Sequence, residues 1–191
     1  MMSQKTPLFR FLDMPVSVHP SAFIGSLILA IILMGAAMTL SGLSTQDAIL
    51  AACVALALHW LAVLVHNYGH FFVAKRMGYP STGLLLRLIF ARVNYPEDEG
   101  ELTPQIHLKR ALSGPLFSLI LALLVVPIAL AWLMPRDGIA QFLGYWLLLD
   151  YGWVFTFGAL FPPMRFEWFT NDGGTIWNIL TRAQKSSQRA S

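Results

Sequence analysis

The sequence predicts an all-α polytopic membrane protein: about four transmembrane helices, a short C-terminal helix, and small interfacial β-strands on the cytoplasmic side. Three observations carry this. Of 191 residues, 56% are hydrophobic and only 12% charged, about half the charge of an ordinary soluble domain. Four apolar stretches, 21–40, 48–73, 112–134 and 141–161, reach the ~20 residues that a bilayer crossing needs. The charges are also sorted between the loops. Lys75, Arg76, Arg87, Arg92, Lys109 and Arg110 fall between the second and third stretches, with further basic residues near both ends, and only Arg136 falls on the opposite side. That asymmetry places both termini in the cytoplasm. A single domain over 1–191 accounts for the length.

Taken in order, Met14-Pro15-Val16-Ser17-Val18-His19-Pro20 alternates apolar and polar residues between two prolines and reads as a short strand leading into the membrane. Residues 21–40 form the first span, too long for the apolar core of a cleaved leader. Ser44 is placed to cap the second helix, which Gly78-Tyr79-Pro80 stops. Residues 84–95 are apolar but interrupted by Arg87 and Arg92, which suits one or two interfacial strands rather than a span. Pro96 to Glu101 reads as an acidic, solvated loop. The third span opens at Ser113-Gly114-Pro115. Gly114, Ser118 and Ala122 follow at four-residue spacing, a small-residue face that admits a close neighbour, and Pro127 is expected to kink its middle. The fourth span carries Asp150 and breaks at Pro162-Pro163. Thr170-Asn171-Asp172-Gly173-Gly174 then opens the last helix, which gives way to a polar tail after Arg182.

Composition also excludes some functions. The net charge of +3 is modest and the basic residues are scattered, so no basic stripe points to nucleic acid. The one cysteine, Cys53, admits no intrachain disulfide.

The chemistry gathers at Val65-His66-Asn67-Tyr68-Gly69-His70-Phe71, near the end of the second span. Histidines at i and i+4 share one helix face, so their rings can converge on one metal ion. Histidine inside a membrane-length apolar segment marks a functional candidate, with a pair of satisfied core histidines as the plain alternative. A third ligand is needed. Asp172 follows the other broken segment on the cytoplasmic side, and two glycines after it allow close backbone approach; an Asp capping a helix would read the same way. His59 and Asp150 lie deeper, roughly 16 and 14 Å from the outer ends of their helices. Intramembrane ionisable groups usually pair, so a His59–Asp150 hydrogen bond is expected to tie the second span to the fourth.

These pieces together resemble the site-2 proteases, intramembrane zinc metallopeptidases, over nearly the whole chain. His66-Asn67-Tyr68-Gly69-His70 resembles the family's His-Glu-x-Gly-His helix, followed by a family-like Ala74-Lys75-Arg76-Met77-Gly78-Tyr79-Pro80. Ala111-Leu112-Ser113-Gly114-Pro115-Leu116-Phe117-Ser118 resembles its Gly-Pro segment. Phe161-Pro162 through Asn171-Asp172-Gly173 resembles its proline-then-Asp-Gly segment. The resemblance implies one zinc per chain on His66, His70 and Asp172, with Ser113, Gly114, Pro115, Ser118 and Gly173 lining the site. It implies a membrane-protein substrate or partner, cleaved near the cytoplasmic face. The implied location is integral to a membrane, taken as a bacterial cytoplasmic membrane.

The departures bear on activity. The family's general base falls on Asn67, and an amide does not accept a proton at neutral pH; loss of such help typically costs 10²–10⁴-fold. Glu167 is the carboxylate near Asp172 that is the candidate to replace it. The family's asparagines fall on Ala159 and Ser118. Proteolysis is therefore expected to be weak or absent, with a pseudoprotease that binds a membrane partner as the alternative. A haem or metal carrier using His59, His66, His70 and His107 is a third reading, but His107 lies in a polar loop and axial pairing needs facing helices.

Overall fold

The computed structural model describes residues 7–166 and 169–189; Glu167 lies outside the described residues. Two antiparallel helices set the frame, α1 (Ser21–Ser41) and α2 (Thr45–Arg76). Gly42 ends α1 at φ +62°, a left-handed conformation that a side chain would strain, and its amide bonds the Ala37 carbonyl. Ser44 then caps α2, its hydroxyl accepting the Asp47 amide at 3.2 Å. The 32 residues of α2 make a rod of about 48 Å. That exceeds a ~30 Å hydrocarbon core.

Before α1 come β1 (Phe9–Phe11) and β2 (Met14–Val18); after α2 come β3 (Gly83–Arg87) and β4 (Phe90–Asn94). They form one sheet in the order β1-β2-β3-β4. β2 runs into α1 and β3 starts where α2 returns, so both head the same way. They pair in parallel, Val16 opposite Leu84 and Val18 opposite Leu86, while β3–β4 is an antiparallel hairpin. Met14, Val16, Leu84 and Leu86 alternate inward and pack with Ala62, Val63 and Phe71 of α2.

Next, α3 (Pro104–Ile128) runs directly into a π-helix, Ala129–Leu133. It starts well before the expected residue 112, because Pro104 occupies its first turn after Thr103, where a missing amide hydrogen costs nothing. Pro115 is therefore inside the helix rather than at its opening. At Pro127 the winding passes to π two residues later. α4 (Ile139–Leu147) likewise continues as a π-helix, Leu148–Gly158. By length and apolarity three helices qualify as spans among the described residues: Ser21–Ser41, Thr45–Arg76 and Pro104–Leu133. The expected fourth, 141–161, is the α–π segment.

A small hairpin, β5 (Arg165–Phe166) with β6 (Phe169–Thr170), precedes α5 (Asp172–Arg189). α5 does not stop at Arg182. The tail is rich in Ala, Gln, Lys and Arg, which favour helix despite being polar. The half of the bundle away from His66 and His70 is closed largely by small residues: Ala48, Ala51, Ala52 and Ala55 of α2 meet Leu33 and Ala37 of α1 and Phe142 of α4.

Candidate metal centre

His66 and His70 project from one face of α2, and α5 begins beside them. His66 Nε2 lies 3.3 Å from His70 Nε2. The Asp172 carboxylate reaches both, Oδ2 at 3.1 Å from His66 Nε2 and Oδ1 at 3.4 Å from His70 Nε2. Two atoms bound tetrahedrally at 2.0–2.1 Å from one zinc stand about 3.4 Å apart. The donor set therefore matches a zinc site in type and in spacing.

The far nitrogens of both rings are fixed. His70 Nδ1–H donates to the Arg110 carbonyl at 2.7 Å, which leaves the Nε2 lone pair turned towards Asp172. His66 Nδ1 bonds the Ser118 hydroxyl at 2.9 Å. The Ser113 hydroxyl donates to the same Arg110 carbonyl at 2.6 Å and lies 3.3 Å from His70 Nδ1. Helices α2 and α3 come close enough for these bonds through two glycines. A Cβ on Gly69 would lie 2.5 Å from the Ser113 carbonyl oxygen, and one on Gly114 would overlap His70 Nε2 and lie 2.7 Å from His66 Nε2. Ser113, Gly114 and Ser118 thus pack behind the histidines, Pro115 is buried next to Gly114, and Gly173 packs on the Leu160 backbone. None of these five is among the residues that line the cleft, because the Gly-Pro segment supports the rings from the rear.

Asn171 holds Asp172 in place. Its Oδ1 accepts the Met164 and Gly174 amides, both at 2.8 Å, and its Nδ2 donates to the Pro162 carbonyl at 3.0 Å. It caps α5 and closes the proline loop in one set of bonds. Its position, a polar side chain just ahead of Asp-Gly, was the available sequence signal.

Before the site lies a cleft of about 770 Å³ bounded by the metal-centre residues, strand β4 and the second π-helix. Asn67 lines it beside His66, and its amide donates to the Val63 carbonyl four residues back at 2.8 Å. At the mouth, Arg110 clamps Glu99 through two bonds of 2.6 and 2.8 Å, donates to the Tyr79 carbonyl at 2.7 Å, and lies 4.1 Å from the Tyr95 ring centroid. That hydrogen bond holds the Glu99 carboxyl below its ordinary range, and burial pushes the Tyr95 phenol up to about 12. The acidic loop is therefore docked at Glu99, because a buried guanidinium needs a carboxylate. Neither residue stood out in the sequence as part of a site; an arginine beside the Gly-Pro segment was the only hint.

His59 and Asp150 also meet, Nδ1 to Oδ1 at 3.2 Å, both buried. His107 lines the cleft but is not in the donor cluster.

The class of protein that these features define is a helical membrane protein with a His–His–Asp cluster at the end of a span. Among solved structures it is similar to the site-2 protease from Methanocaldococcus jannaschii, with a TM-score of 0.58 and 22% identity over 92% of this chain and 71% of that one. The chain has a site-2-protease-like fold. No family model matches it, and no curated protein matches it.

Proposed function

We propose that the chain is a site-2-protease-like zinc metalloprotein of the membrane that receives a segment of another membrane protein in the cleft and, with Asn67 as written, cleaves it weakly or not at all. In this reading the α–π segment is a fourth crossing, both termini are cytoplasmic, and the membrane is a cytoplasmic membrane. The carrying observation is the donor set: two imidazole nitrogens and a carboxylate at zinc-ligand spacing, with both far ring nitrogens bonded. When bound there, zinc supplies Lewis acidity towards a peptide carbonyl and makes water more acidic.

The remaining chemistry falls to the chain. Phe90, Ala91, Arg92 and Val93 bring β4 to the cleft, where an extended segment can lie along the strand. A peptide bond must leave its helix to be attacked, and a cleft of about 770 Å³ has room for several extended residues. At the place expected of the base the chain offers no proton acceptor. Asn67 occupies the place expected of the base, and its amide is spent on the Val63 carbonyl. An amide at this place favours the binding-only alternative.

The deciding experiment is cleavage of a membrane-spanning substrate by the wild type and by Asn67→Glu, each loaded with zinc. The glutamate variant is expected to be faster by about 10²–10⁴-fold. Robust cleavage by the wild type, with no gain from glutamate, would refute the account of the missing base. Zinc binding without cleavage by either protein would favour the binding-only alternative.

A further inference from the structure

The β3–β4 turn is Leu88-Ile89, closed by the Arg87–Phe90 pair. Leu88 sits at φ +54°, a left-handed conformation that favours glycine and that a leucine holds only where the surroundings impose it. Three contacts impose it. The Leu88 amide faces the Ser21 hydroxyl at 3.4 Å. The Leu88 backbone fills a notch at Gly25, where a Cβ would lie 2.5 Å from its carbonyl carbon. The Ile89 carbonyl lies 2.9 Å from His59 Nε2.

The third contact reaches furthest. A carbonyl only accepts, so His59 Nε2 carries a hydrogen and donates it to Ile89. Its Nδ1 then faces Asp150, which comes from the second π-helix. The neighbouring residues pin the same two elements again: the Tyr151 hydroxyl donates to the Leu58 carbonyl at 2.7 Å. Asp150 therefore orients His59, and His59 holds the hairpin turn. The hairpin so held ends in β4, the strand that borders the cleft.

We infer that His59 and Asp150 are positioning residues for the cleft: they anchor the β3–β4 turn and thereby set β4 at the distance from His66 and His70 that an extended peptide requires. The inference rests on the reading of the cleft as a peptide site. Phe155 marks the separation of the two systems, its ring centroid 5.5 Å from that of His59 and 5.8 Å from that of His66. Losing the pair should therefore move β4 and leave the metal ligands in place.

The test uses the full zinc-loaded chain in detergent, with a fluorescent synthetic peptide of about 20 apolar residues as the probe. His59→Phe keeps a ring and removes the donor to Ile89. It is expected to keep its zinc, to speed hydrogen exchange at the β3 and β4 amides, and to weaken peptide binding about tenfold. Asp150→Asn can still bond His59 Nδ1 and is expected to bind like the wild type, whereas Asp150→Leu should behave like His59→Phe. If His59→Phe does not accumulate, the Asp150 pair gives the same comparison. Wild-type exchange and affinity in His59→Phe, or equal behaviour of the two Asp150 variants, would overturn the inference. If the wild type binds zinc but no peptide, the reading of the cleft fails; hairpin exchange in His59→Phe then still decides whether the pair anchors β4.

Discussion

His66 and His70 are useful as ligands because each has its other nitrogen occupied. Ser118 does this for His66 with one hydroxyl. Partners of this kind typically contribute 10–100-fold to metal affinity, so Ser118→Ala is expected to weaken zinc binding by about that factor in a chelator competition. His66→Ala should abolish stoichiometric zinc, read by elemental analysis; equal zinc in both proteins would refute the ligand assignment. Glu99 gives a pH dependence. Arg110 lowers the folded-state value of its carboxyl, so the stabilisation is complete above the ordinary glutamate value and is lost as pH falls through the depressed one. The Tm difference between wild type and Glu99→Gln is thus expected at neutral pH and should vanish in acid. Residue chemistry was legible in the sequence where spacing alone imposes it, as with two histidines one helical turn apart. Arg110, Glu99 and Asn171 were not, because their roles depend on partners distant in the chain or on loop geometry.

At the scale of elements, the α2–α3 crossing governs the site. Gly114 faces both imidazoles with no room for a methyl group, so Gly114→Ala is expected to displace the rings and lose zinc while the helices still form. Measuring zinc content beside far-ultraviolet circular dichroism checks this; full zinc occupancy would show that the rings have slack. The small-residue spacing on α3 was readable because close packing demands it. The start of α3 and the extent of α5 were not read correctly. Apolar run length marks where a helix meets lipid, whereas capping and helix propensity decide where it begins and ends. The π-winding of residues 148–158 had no sequence signature. Thr156 Oγ1 bonds the Tyr151 carbonyl five residues back at 2.9 Å, within a winding that turns Asp150, Tyr151, Phe155 and Thr156 all inward.

Across the whole molecule, the three candidate ligands join elements far apart in the chain, two from α2 and one from the start of α5. Zinc should therefore act as a cross-link between them. At a thousandfold excess over its Kd, it is expected to raise Tm by roughly 8–16 °C, an increase that Asp172→Ala removes. A Tm indifferent to chelator would mean that α5 is held by other contacts. The membrane class was legible because bilayer physics restricts what such a composition can build, and the site-2-protease-like fold because three ordered motifs resemble those of that family. The strand order was not, since pairing between distant segments leaves no local mark.

That strand order carries a consequence for biogenesis. Val16 cannot meet Leu84 until everything between them, both α1 and α2, has been made and has returned to the side from which it started. Until then β2 waits with one edge unsatisfied, and the β3–β4 hairpin has no β2 to join. The border of the cleft is thus assembled only after the first helical pair has threaded the bilayer. A chain whose second helix stalled or inserted backwards would leave β3 on the wrong side of the membrane, and its histidines would have no cleft to face.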